Sequence, residues 1–134
     1  MTGFDAKEFF ELSKRIADTE PNEAGYRTAI NRAYYACHLV GVVNIAKKGW
    51  FSRTYGPSDH HNLYKALVNH ATWWGQLRSL YELREHADYH IENGKKGQGN
   101  NCPYCTDNSS LVDKDTWVRA KQIAEYIFPR ISSI

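Results

Sequence analysis

Leu77-Arg78-Ser79-Leu80-Tyr81-Glu82-Leu83-Arg84-Glu85-His86-Ala87-Asp88-Tyr89-His90-Ile91 decides how the rest of the chain is read. At about 100° per residue, Trp73, Leu77, Leu80, Tyr81, Ala87 and Ile91 fall on one side of a helix, as in a core-facing element. Arg84 and Asp88 sit in the middle of that stripe. Charges on a dry seam are costly unless paired. Their spacing allows an ion pair along the helix, although the acid-last order is the weaker one. Against a second helix, such a pair fixes register more than it adds stability. His90 lies six residues after Arg84, roughly 120° round and about 9 Å along the axis. One such pair cannot grip a phosphate well; two copies facing each other across a two-fold axis could.

Outward from this stretch the chain reads as helices. Residues 4–19 form a first helix, capped by Asp5, with Phe9, Leu12 and Ile16 on its apolar side. Pro21 ends it. A long second helix runs from residue 23 to about residue 48. It carries small residues at Ala29, Ala33, Ala36, Cys37 and Gly41, a surface that another helix can approach closely. Residues 47–57 interleave basic and aromatic side chains in a loop, which suits either base stacking or anchorage to the core. Ser58-Asp59 can cap a third helix from His60 to about His70. His60 and His61 would lie at its positive end, where a neutral imidazole could ligate a metal but surface placement is expected. The fourth helix starts near Ala71 or Thr72, or closer to Gly75, and stops at Asn93-Gly94. Asp113 caps a fifth from Lys114, with Trp117, Ala120, Ala124, Ile127 and Ile131 as its seam, and Pro129 should kink or end it. The expected fold is all-α, an antiparallel bundle of four to five helices. The expected organisation is a single domain over residues 1–134, with a glycine- and cysteine-containing loop at 93–112.

Composition sets wide bounds. A chain of 134 residues suits one domain. A net charge of +2 neither demands nor forbids nucleic acid. No apolar run reaches the length of a membrane span. The N-terminal residues lack the pattern of a signal peptide. Three cysteines, an odd count, argue against a disulfide framework, so the cytoplasm is the expected compartment.

Two blocks stand out together: Ile30-Asn31-Arg32-Ala33-Tyr34-Tyr35-Ala36-Cys37-His38 and Leu83-Arg84-Glu85-His86-Ala87-Asp88-Tyr89, with His60-His61-Asn62-Leu63-Tyr64-Lys65-Ala66-Leu67 between them. In this order they resemble the HEPN family of small prokaryotic helical domains, over roughly residues 5–92 and the last helix. The resemblance implies a helical bundle that pairs as a homodimer. Many relatives are metal-independent ribonucleases, commonly toxins paired with a nucleotidyltransferase-like antitoxin or acting against phage. Others are non-catalytic modules that bind a nucleotide or a partner. Carried over, the resemblance makes Arg84 and His90 catalytic, with Asp88 orienting Arg84. Tyr89, Arg32 and Tyr35 would bind RNA. The chemistry is coherent: imidazole moves protons near neutral pH, and a guanidinium holds phosphate oxygens and stabilises developing charge. No cofactor is required for that reaction.

Cys102-Pro103-Tyr104-Cys105 departs from the family pattern. The same letters occur in redox proteins, but there they follow a strand. A second reading is half of a zinc site, completed by a second chain or by histidines. A third is a turn stiffened by proline, bearing two reduced thiols. Cys37, on the small-residue face of the second helix, reads as packing.

Overall fold

The computed structural model describes residues 5–90, 102–105 and 111–134. The expected helix start at Phe4, the stripe residue Ile91, the Asn93-Gly94 stop and most of the 93–112 loop lie outside them. Five helices follow in order: α1 (Ala6–Thr19), α2 (Glu23–Lys47), α3 (Ser58–Leu67), α4 (Trp74–Tyr89) and α5 (Lys114–Ser132). No strand occurs among the described residues.

Local chemistry sets several boundaries. The Asp5 carboxylate accepts from the Lys7 N–H at the start of α1, and the Asn22 side chain accepts from the Gly25 N–H at the start of α2. Asp113 and Thr116 form a reciprocal capping box on α5. Each satisfies backbone donors that the first turn of a helix leaves without partners.

Helix α2 is the hub. It packs against α1, α5, α4 and α3. Ala29, Ala33, Ala36, Cys37 and Gly41 are all buried, as the small-residue stripe requires. At Gly41 a β-carbon would stand 2.6 Å from Ile131 Cδ1 and 2.9 Å from Leu63 Cδ2, so a bare backbone lets α5 and α3 close in. Ile30, Tyr34 and Ile45 on α2 meet Leu77, Leu80 and Leu83 on α4, and Ala120, Ile127 and Ile131 on α5, in one hydrophobic cluster.

Four expectations are corrected. Helix α3 ends at Leu67, short of His70, while α4 begins at Trp74 with Trp73 at its cap, which matches the expected alternative start near Gly75. Pro57, not Ser58 or Asp59, occupies the α3 cap; Asp59 turns back to accept from Thr54 and Tyr55. Helix α5 does not end at Pro129 but runs on to Ser132. Pro129 is on the exposed side, where the carbonyl it leaves unbonded can meet water. Ile131 beyond it is fully buried, and the Asn44 side chain donates to the Ile131 carbonyl at 3.0 Å. Finally, His60 is half-buried rather than on the surface, because its ring stacks on His38 at 4.2 Å. In the 47–57 loop, Trp50 and Phe51 pack against the core and Trp50 stacks flat on His70 at 3.8 Å, whereas Tyr55 is exposed.

Candidate metal centre and arginine face

Two clusters of chemistry-bearing side chains meet on α4. The first surrounds Arg84, which is 8% exposed. Its Nε donates to Asp88 Oδ2 at 2.8 Å, and its Nη2 donates to the hydroxyls of Tyr35 at 3.1 Å and Tyr89 at 3.3 Å. Asn31 Nδ2 donates to the same Asp88 oxygen at 2.9 Å, and Arg32 Nη1 donates to Asn31 Oδ1 at 2.8 Å. Burial works against the Arg84 charge, but Tyr35, Asp88 and Tyr89 outweigh it and hold the guanidinium above its ordinary pKa. Beside this array Arg27, Thr28, Asn31, Arg32, Ala87 and Asp88 line an open groove of about 360 Å³ between α2 and α4. Arg27 also donates to the carbonyls of His86 and Ala87 in the last turn of α4, where a cation complements the helix dipole.

Next to Arg84 lies an aromatic stack. The Tyr34 hydroxyl and His60 Nδ1 share a hydrogen bond of 2.6 Å, and His60 is flanked by His38 and Tyr81. Burial pushes the His38 pKa down to about 3, with further lowering from His60, Arg84 and Arg53 against the opposing charge of Asp59. The unfolded chain therefore binds a proton at His38 that the folded chain does not, between pH 6.5 and about 3. The stability His38 contributes is whole above pH 6.5 and erodes as pH falls. At pH 5 the loss is about 2 kcal/mol. Urea titrations at pH 7 and pH 5 should show this loss in the wild type and its absence in His38→Gln.

The second cluster closes the end of α4. His86 is fully buried, Cys102 is 9% exposed and Cys105 4% exposed. His90 is half-buried at the C-cap of α4. His90 Nδ1 lies 3.0 Å from Cys102 Sγ and 3.4 Å from Cys105 Sγ. His86 Nδ1 lies 3.2 Å from Cys105 Sγ and 3.5 Å from Cys102 Sγ, and the two Nδ1 atoms are 3.3 Å apart. The four ligand atoms all fall within 4.8 Å of one another, an arrangement that could hold a metal ion. Neither cysteine is in a disulfide. Burial lowers the His86 pKa, offset in part by a hydrogen bond to the Leu111 backbone.

The structure thus brings Arg84, Asp88, Tyr35 and Tyr89 together, joins Arg32 to them through Asn31, and turns His90 to Cys102 and Cys105. Sequence reasoning missed His86 and Asn31. The signal for His86 was present: His86-x-x-x-His90 sets two imidazoles on adjacent turns of one helix, twelve residues before Cys102-x-x-Cys105. Cys37 takes no part; it is buried in the core, which pushes its thiol far above the ordinary range. No helix among the described residues is long and apolar enough to cross a membrane. Comparison with protein-family models, curated proteins and solved structures finds no match to the chain.

Proposed function

We propose that this chain is a HEPN-like module that binds RNA through its phosphate groups at Arg84, without cutting it. The observation that carries the reading is the fixed guanidinium. Asp88, Tyr35 and Tyr89 hold Arg84 through Nε and Nη2, and among the described residues its Nη1 makes no hydrogen bond. A guanidinium locked beforehand loses little freedom when it takes a phosphate oxygen. Arg32 and Asn31 in the adjoining groove supply further donors for a phosphate chain. The compartment of this reading is one that keeps thiols reduced, the cytoplasm.

The position of His90 favours binding over cleavage. Its Nδ1 faces two thiols, which takes one of its two ring nitrogens out of proton transfer with RNA. The second reading is the metal-independent endoribonuclease, acting as a homodimer with His90 as proton carrier and Arg84 as charge stabiliser. It is favoured by the Arg84-to-His90 spacing, and a nucleotidyltransferase-like partner would accompany it.

One experiment separates them. Single-stranded RNA is titrated with protein by fluorescence anisotropy at low and moderate salt, and the same RNA is run on a denaturing gel after incubation in metal-free buffer. Binding that weakens with salt, about tenfold or more loss of affinity in Arg84→Gln, and intact RNA are expected. Cleavage abolished by His90→Ala would establish the nuclease instead. No binding at micromolar protein would remove RNA as the ligand.

A further inference from the structure

We infer that His86, His90, Cys102 and Cys105 of a single chain bind one Zn²⁺ as a closed structural site. The inference stands apart from RNA binding at Arg84.

The donor chemistry points to zinc. Two thiolates and two imidazoles form a tetrahedral set that suits this ion and serves it in small folded domains. The distances match as well. With Zn–S at about 2.3 Å and Zn–N at about 2.0 Å, a regular tetrahedron has N···S edges of about 3.5 Å and an N···N edge of about 3.3 Å. The four N···S separations here run 3.0, 3.2, 3.4 and 3.5 Å, and the N···N separation is 3.3 Å.

Hydrogen bonding serves these contacts poorly: an Nδ1 that carries a proton can point it at only one of its three close neighbours. If both thiols donate to the imidazoles, both Nδ1 atoms must be unprotonated. The close approach of His86 Nδ1 to His90 Nδ1 then sets two lone pairs against each other. A cation between the four atoms satisfies every contact, with both nitrogen lone pairs and both sulfurs turned inward. His86 is fully buried and both cysteines nearly so, so their donor atoms have little water to turn to.

Local structure delivers the ligands. His86 and His90 are one turn apart on one face at the end of α4. Cys102 and Cys105 come from a tight turn, with Pro103 and Tyr104 between them. The Tyr104 ring packs toward His86 at 6.2 Å, and its hydroxyl donates to the Ser79 carbonyl, holding that turn against α4. The neighbourhood is already tied together: Arg27 on α2 bonds the His86 and Ala87 carbonyls, and Glu23 accepts from the Val112 N–H just before α5. An ion here fastens the end of α4 to the approach to α5 over the start of α2. Four protein ligands leave no position for substrate, so the ion is structural. In the loaded chain His90 is a ligand, and any RNA chemistry must do without it as a proton carrier.

The test is metal analysis of full-length protein, purified after zinc is added and free metal removed. One zinc per chain is expected. The double variant Cys102→Ser/Cys105→Ser should carry less than a tenth of that. Cobalt in place of zinc should give the intense visible absorption of a tetrahedral thiolate site. Should the double variant fail to fold, the wild type still decides. A chelator with a thiol-modifying reagent should release one zinc per chain, with a fall in Tm that added zinc reverses before modification. Half a zinc per chain would overturn the single-chain site. Zinc below a tenth per chain, or full zinc in the folded double variant, would overturn these residues as a site.

Discussion

Gly25→Ala is expected to cost about 3 kcal/mol or more, read as a lower midpoint in urea. A β-carbon on Gly25 would lie 1.9 Å from the Glu20 carbonyl oxygen and 2.9 Å from its carbonyl carbon. Those atoms are backbone at the end of α1, so no side-chain rotation relieves the clash. The turn itself must open. Overpacking in a well-packed site commonly costs 1–3 kcal/mol, and a fixed backbone partner sets the upper part of that range. The turn also carries the Asn22 cap of α2, so the damage reaches the hub helix. Gly75→Ala provides the opposite sign. No atom lies within 4 Å of a β-carbon there, and Gly75 sits in the first turn of α4. Alanine should stabilise the protein by about 0.5 kcal/mol through helix propensity and a less disordered unfolded chain. Equal effects at the two glycines would refute the close approach of α1 and α2.

Arg84→Met is expected to cost about 3 kcal/mol, Asp88→Leu about 2 kcal/mol, and the double variant far less than their sum. The pair is 2.8 Å apart with side chains only 10% and 20% exposed. Removing one partner strands a poorly solvated charge. Removing both leaves neutral groups that α2 can pack against. Recovery stays incomplete, because Tyr35 and Asn31 each lose a charged partner. Urea midpoints of the four proteins, the wild type included, give the coupling directly. Additive losses would mean that Arg84 and Asp88 act independently. Strong coupling with little net gain in the wild type is the signature of a pair retained for register or for a ligand.

The fold was legible where local chemistry governs. The Asp5 and Asp113 caps, the Pro21 break and the small-residue face of α2 are read from neighbouring residues, and the structure has them all. Reading failed where packing at a distance decides. A local rule ends α5 at Pro129, but Ile131 is fully buried and keeps the last turn helical. A dipole argument leaves His60 outside, but Tyr34, His38 and Tyr81 offer it an aromatic slot. The Arg84–Asp88 pair was legible because a charge on an apolar stripe needs a partner four residues away. His86 was passed over although its spacing from His90 was in view, because the apolar count on α4 runs through Ala87. Its partners come from beyond the helix, and only folding shows that Cys102 and Cys105 return to that turn.

The adjacency of His90 and Cys102 has a consequence for engineering. Their ligand atoms lie 3.0 Å apart, so the two ends of the intervening excursion meet at one spot. The entropy of closing such an excursion grows only with the logarithm of its length, about 0.6 kcal/mol per doubling. A guest peptide or a fluorescent reporter that lengthens the link between His90 and Cys102 would therefore burden the scaffold little. Both ends of such an insert would lie beside the ligand atoms proposed for zinc, so its signal would test their occupancy.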